Sequence, residues 1–82
     1  MNYKIILIKI GNRENTAIEV QKILTEFGCK IKTRLGLHNI EPDACSPLGL
    51  VILEVVADTK EINSLIKKLN AVKSVSAKYI KI

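Results

Sequence analysis

A chain of 82 residues has room for one hydrophobic core and none for a second catalytic lobe, so it is read as a single module spanning residues 1–82. Hydrophobic residues make up 48% and charged residues 26%, a balance that excludes a disordered tail. The net charge of +5, from 13 basic and 8 acidic residues, leaves an anionic partner open, and the placement of those charges matters more than their sum.

From Tyr3 to Ile10 the chain reads YKIILIKI, β-branched, apolar on both parities and closed by Gly11-Asn12, which predicts a central strand. Its longest apolar run, Ile5 to Ile8, is far below the roughly 20 residues that span a bilayer. No charged-then-apolar leader precedes it, and a cytoplasmic location is expected. From Glu14 to Phe27, Val20, Ile23, Leu24 and Phe27 recur at helical spacing, with Gly28 as the stop. Asn12 or Thr16 is the candidate cap, the latter in a capping box with Glu19.

Residues 29 to 37 alternate, with Cys29, Ile31, Thr33, Leu35 and Leu37 on one face and Lys30, Lys32, Arg34 and Gly36 on the other, the pattern of a half-buried edge strand. A long connection follows, in which Glu41-Pro42-Asp43 and Ser46-Pro47 make turns and proline limits strand extension. Leu48 to Val56 is a second strand apolar on both parities. Asp58 and Glu61 form D-x-x-E ahead of Ile62, Leu65, Ile66 and Leu69, a capped amphipathic helix ending at Asn70. Lys73 to Ile82 alternates through Val75, Ala77 and Tyr79 as the last strand.

The order is βαββαβ, the ferredoxin-like α+β sandwich: a four-stranded antiparallel sheet with two helices on one face, strands one and three central. The two strands that topology places centrally are the two apolar on both faces. Helices cover only one face, however. If Val51, Leu53 and Val55 point to them, Leu50, Ile52, Glu54 and Val56 point away, with either Tyr3, Ile5, Leu7 and Lys9 or Ile6, Ile8 and Ile10 of the first strand. About four aliphatic side chains, each worth roughly 1.5–3 kcal/mol on burial, are left for a partner to cover. Lys30, Lys32 and Arg34 rim that face, with Lys78 on the opposite edge, as a solvated edge or as a rim that meets a neighbour's Glu54 or an anionic ligand.

RNA-binding modules share this topology but stack bases on aromatic residues of the central strands. Tyr3, Phe27 and Tyr79 are the aromatics here, Phe27 on a helix face and Tyr79 on an edge, so direct nucleic-acid binding is not expected. Small copper carriers place two cysteines in the first loop, where this chain reads IGNRENT. Cys29 and Cys45 form no C-x-x-C and are read as reduced thiols. His38 and Cys45, with Glu41 and Asp43 nearby, offer a soft-metal fragment short of the usual ligand number. No nucleophile–base–orienter set can be placed, since His38 lacks an orienting carboxylate, and neither enzymatic activity nor a cofactor is expected. The Gly11-Asn12-Arg13-Glu14-Asn15 loop joins a central strand to a helix N-terminus, which favours anions, and Arg13 adds a fixed charge.

The βαββαβ order, Asn12-Arg13-Glu14 opening the first helix, Thr33-Arg34-Leu35-Gly36 ending the second strand and Asp58 opening the second helix resemble the iron-only hydrogenase system regulator family. These are small ACT-like proteins, related in fold to the effector domains of amino-acid-responsive regulators and of the nickel-responsive repressor. The resemblance implies a non-enzymatic, ligand-sensing regulatory module that associates through its sheet. The expectation is a homodimer or tetramer with a small-molecule effector between one subunit's first loop and its neighbour's edge strand, contacted by Gly11, Asn12 and Arg13 with Arg34 and Gly36 near the junction. The alternatives are a ligand-free interaction module and a metal sensor through His38 and Cys45.

Overall fold

Strands apolar on both parities need cover on both sides, and the sheet gives them the middle. In the computed structural model, which describes the backbone of residues 2–11, 14–40 and 45–82 and the side chains of 2–11, 16–36 and 49–82, the elements follow the expected order. They are β1 (Lys4–Ile10), α1 (Glu14–Glu26), a 3-10 turn (Gly28–Lys30), β2 (Ile31–Ile40), β3 (Cys45–Val55), α2 (Thr59–Asn70) and β4 (Val75–Lys81). The sheet order is β2-β3-β1-β4, antiparallel throughout.

Burial settles the parity of β1. Ile6, Ile8 and Ile10 are buried, as are Val51, Leu53 and Val55 of β3 and Ala77 of β4, and they pack with Val20 and Leu24 of α1 and Ile62, Leu65 and Leu69 of α2. Each of the larger side chains gains roughly 1.5–3 kcal/mol from leaving water, which makes this layer the main source of stability. Helix α2 begins as its sequence specifies: Asp58 Oδ1 accepts from Glu61 N at 2.8 Å, and Asp58 N donates to Glu61 Oε1 at 3.1 Å.

Several local expectations are corrected. Thr16 is not a cap, because it is already the third residue of α1, is 5% exposed, and donates its hydroxyl to Lys73 O at 3.4 Å. Asn12, the other candidate, lies outside the described residues. Helix α1 ends at Glu26, just ahead of the expected stop at Gly28, and no glycine there takes a left-handed conformation. The chain instead leaves through Phe27 (φ −100°, ψ 15°) into a right-handed 3-10 turn whose Lys30 N–H reaches Phe27 O at 2.9 Å.

The alternation of β2 does not run through. Ile31 pairs with Val55 but Thr33 pairs with the adjacent Glu54, so a β-bulge at Lys32 switches the parity. Ile31 packs against the core, whereas Thr33 and Leu35 stand on the helix-free face, and the register puts Arg34 opposite Leu53 and Gly36 opposite Val51 on the other side. Lys30, placed on that rim by sequence, belongs to the 3-10 turn and meets Glu61 at 3.4 Å. Nor do the prolines confine the hairpin. Strand pairing continues to Ile40 opposite Cys45, and Pro47 falls within β3, where the register shifts between His38 and Ile40 and so spares the ladder an absent N–H. Pro42 lies outside the described residues.

Candidate functional site

The face that no helix covers has a definite layout, because paired residues in an antiparallel ladder share a side. One row across the sheet is Thr33, Glu54, Ile5 and Ile80; the next is Leu35, Ile52, Leu7 and Lys78; the third places Leu50, Lys9 and Ser76 beside the register position of Leu37. Leu35 is 51% exposed, Ile80 39% and Leu50 37%, while Ile5, Leu7 and Ile52 between them are half-buried only by their neighbours. Towards the N-terminal end of β1 the apolar surface continues through Tyr3, Val56 and Ile82, which are also exposed.

Charge on this face is unevenly spread. Lys9 lies towards the end of the sheet from which the β2–β3 hairpin projects, and Lys78 in the middle row opposite Leu7. Glu54 sits towards the other end, with its carboxylate 3.8 Å from Lys32 Nζ and its side chain 23% exposed. The bulge that re-aims Lys32 creates that pair. Beside it an open cleft of about 310 Å³ is lined by Asn2, Tyr3, Lys4, Lys32, Glu54 and Val56. Lys4 Nζ is committed to Ala57 O at 2.8 Å, so Lys32 and Glu54 are the cleft's charged pair.

At the opposite end of β1, Gly11 N donates to Ser74 O at 2.6 Å, and a Cβ at Gly11 would lie 2.8 Å from Ser74 Cβ and 2.9 Å from Ser74 O. Ser74 itself has φ 70°, a left-handed conformation that side chains resist. The first loop is thus fixed to the turn before β4, a neighbour that sequence reasoning missed; the lone glycine at a strand end was its one signal. Asn12 and Arg13, the expected ligand contacts, lie outside the described residues. Arg34 and Gly36 are exposed on the β2 edge, two strands from β1 and therefore about 10 Å or more from Gly11, so one chain does not bring the two halves of the expected site together. Among the described residues no group of three or more His, Cys, Asp and Glu gathers for a metal ion. The side chains of His38 and Cys45, and Glu41 and Asp43 altogether, lie outside those residues. No helix among the described residues is long and apolar enough to cross a membrane.

Comparison with known proteins places the chain. The TM1266-like family model, described as "Iron-only hydrogenase system regulator, putative", matches residues 2–79. No curated protein sequence matches. Among solved structures the chain is similar to the uncharacterized protein TM1266 from Thermotoga maritima, with 22% identity, a TM-score of 0.84, and 100% of this chain and 99% of that one covered. It is also similar in fold to the ACT domain of a GTP pyrophosphokinase from Chlorobium tepidum (15% identity, TM-score 0.65, 98% and 97% covered). A third is CPII from Thiomonas intermedia K12, a nitrogen regulatory PII-like protein (12% identity, TM-score 0.62, 100% and 90% covered), also solved with ADP, AMP and acetate at 11% identity. Since the family model takes in nearly the whole sequence, the chain belongs to the TM1266-like family.

Proposed function

We propose that this member of the iron-only hydrogenase system regulator family is a non-enzymatic, ligand-sensing module that works as a homo-oligomer assembled through the helix-free face. One observation carries the reading. Six aliphatic side chains, Ile5, Leu7, Leu35, Leu50, Ile52 and Ile80, form a continuous surface on a face with no helix over it. At roughly 1.5–3 kcal/mol for each side chain fully buried, the gain on covering them is as large as the stability of about 4–12 kcal/mol that a domain of this length carries. A second copy supplies the same surface and completes a two-sheet sandwich about 10 Å thick.

The effector site of this reading lies where the Gly11-Asn12-Arg13 loop of one subunit meets the Arg34 to Gly36 edge of another. The exposure of that edge and its distance from Gly11 within one chain both support a site completed by a neighbour. A PII-like neighbour solved with ADP and AMP makes nucleotides the first ligands to test, with amino acids and divalent metals screened beside them.

Sedimentation velocity over a concentration series, followed by thermal-shift screening of amino acids, nucleotides and divalent metals, tests both halves. A dimer or tetramer whose melting temperature rises with one ligand class, and loses that rise in Arg13→Ala, is the expected result. Monomers at every concentration would end the assembly reading, and an Arg13→Ala variant that keeps the full shift would end the placing of the site.

A further inference from the structure

The hydrogen-bond phase of the sheet tells its two edges apart. Tyr3 N donates to Ile82 O and Gly11 N to Ser74 O, so the odd-numbered residues of β1 turn their N–H and C=O groups to β4 and the even-numbered ones turn theirs to β3. Ile6, Ile8 and Ile10 thus face Leu53, Val51 and Gly49, and the residues between these, Leu50, Ile52 and Glu54, turn to β2. Val56 N, which reaches Lys30 O at 2.8 Å, follows the same phase. Leu35 and Thr33 are the partners of Ile52 and Glu54, which leaves the N–H and C=O groups of Arg34 and Gly36 pointing out of the sheet. On the opposite edge the side chain of Asn70 occupies the outward groups of Ala77. Among the described residues none does so for Arg34 and Gly36, which are both exposed.

We infer that the β2 edge, independently of the assembly through the helix-free face, is a docking site for an extended acidic segment of another protein, which adds to the sheet as a further strand beside Arg34 and Gly36. A Cβ at Gly36 would meet nothing within 4 Å, so no described contact inside the chain requires glycine there, and a missing side chain on an edge lets another backbone approach closely. Charge selects the occupant. Arg34 has no carboxylate partner among the described residues, and the side chain of Lys32 beside it is 63% exposed. Cations on an edge oppose the addition of a like edge, so a second copy, which brings its own Lys32 and Arg34, is disfavoured and a strand with carboxylates is favoured. The register sets the alternation of that strand. Arg34 and Gly36 lie on the helix-covered side and Leu35, 51% exposed, on the other, so acidic residues belong opposite Arg34 and Gly36 and an apolar residue opposite Leu35. Main-chain bonds to the two outward pairs of groups supply affinity, and Arg34 supplies the choice of sequence. The edge also borders the proposed effector site, so an added strand and an effector exclude each other there.

A capped peptide of alternating valine and glutamate, about seven residues long, is the probe, since its own like charges keep it from pairing with itself. Residue-resolved amide hydrogen exchange on the full chain, with peptide at about 1 mM, is expected to show the N–H groups of Arg34 and Gly36 slowed about tenfold or more and that of Tyr79, on the far edge, unchanged. The same peptide with lysine in place of glutamate is expected to protect neither, and Arg34→Glu is expected to exchange the preference between the two peptides. Gly36→Pro removes one outward N–H at an edge position where proline is tolerated, so it is expected to keep the far-UV circular dichroism of the parent and to lose the protection of Arg34. Equal protection by both peptides, none by the glutamate peptide, or full protection of Arg34 in Gly36→Pro would overturn the docking site. Protection of Arg34 and Gly36 in the protein alone, deepening with its concentration, would give the edge to a second copy and overturn it as well. The homo-oligomer stands or falls separately, on the sedimentation series.

Discussion

Asn70 closes one edge of the sheet with a side chain: its Oδ1 accepts from Ala77 N at 2.7 Å and its Nδ2 donates to Ala77 O at 3.2 Å. Ala77 is opposite Ile8 on its inner side, and its own N–H and C=O turn outward, where a further strand would add. The last residue of α2 takes that place. Asn70→Ala leaves both groups of Ala77 without a protein partner, at a residue only 7% exposed, and is expected to destabilise the fold by about 1–3 kcal/mol. Urea denaturation reads this as a lower midpoint at unchanged slope. A midpoint within error of the parent would show that water replaces the amide at no cost.

Gly11 and Ser74 make the second close contact. An alanine at position 11 meets Ser74 Cβ at 2.8 Å and Ser74 O at 2.9 Å, and the backbone must give way because the second atom belongs to it. Gly11→Ala is expected to cost about 1–3 kcal/mol and to loosen the bond from Gly11 N to Ser74 O. Ser74→Gly relieves the left-handed strain at φ 70° in exchange for backbone entropy, so it is expected to be neutral or up to about 1 kcal/mol stabilising. Differential scanning calorimetry on the two variants should therefore move the melting temperature in unlike directions or only for the first. Equal losses would mean that the turn needs the serine side chain.

What sequence could deliver divides along physical lines. Period-two and period-3.6 patterns are properties of one segment, and they located all six main elements, both central strands and the helix-free face. The D-x-x-E box at Asp58 is equally local and forms as read. The bulge at Lys32 is not local. It depends on which residues of β3 stand opposite, and an unbroken alternation of lysine and β-branched residues carries no trace of it. Thr16 and Asn70 were read as helix-end residues, yet their side chains bond residues of the turn before β4 and of β4 itself. Gly11, Asn12 and Arg13 were singled out by their place between a strand and a helix N-terminus, and Arg34 and Gly36 by theirs on the edge strand; within one chain Gly11 and the Arg34–Gly36 edge do not meet.

The capping box separates two contributions of one carboxylate. Glu61 accepts from Asp58 N at 3.1 Å and also lies 3.4 Å from Lys30 Nζ, a pair whose side chains are 34% and 46% exposed. Asp58→Ala removes the cap of α2 and is expected to cost about 0.5–2 kcal/mol. Glu61→Gln keeps an acceptor for Asp58 N and loses only the solvent-screened ion pair, so its cost should stay below about 1 kcal/mol. Thermal or urea melts of both variants check the order. If Glu61→Gln proves the more damaging, the Lys30 pair matters more to the junction of the 3-10 turn and α2 than the cap does.

Deleting a residue from the middle of a strand ordinarily turns every later side chain to the wrong face, and β2 contains one position where it should not. Ile31 pairs with Val55 and Thr33 with Glu54, neighbours on β3, so Lys32 is the surplus residue of the bulge. Removing it leaves Ile31 in the core and Thr33 and Leu35 on the helix-free face, and regularises the ladder. The loss is the exposed Lys32–Glu54 pair at 3.8 Å, worth less than about 1 kcal/mol. In β4 the register with β1 runs unbroken from Val75 to Lys81. Deleting Lys78 there forces either Ala77 or Tyr79 off the helix-covered side and is expected to cost more than about 2 kcal/mol or to prevent folding. Melting temperatures of the two deletion variants provide the comparison. A Lys32 deletion as destructive as the Lys78 deletion would mean that the bulge is required for the twist of the β2–β3 hairpin and is not a spare residue tolerated within it.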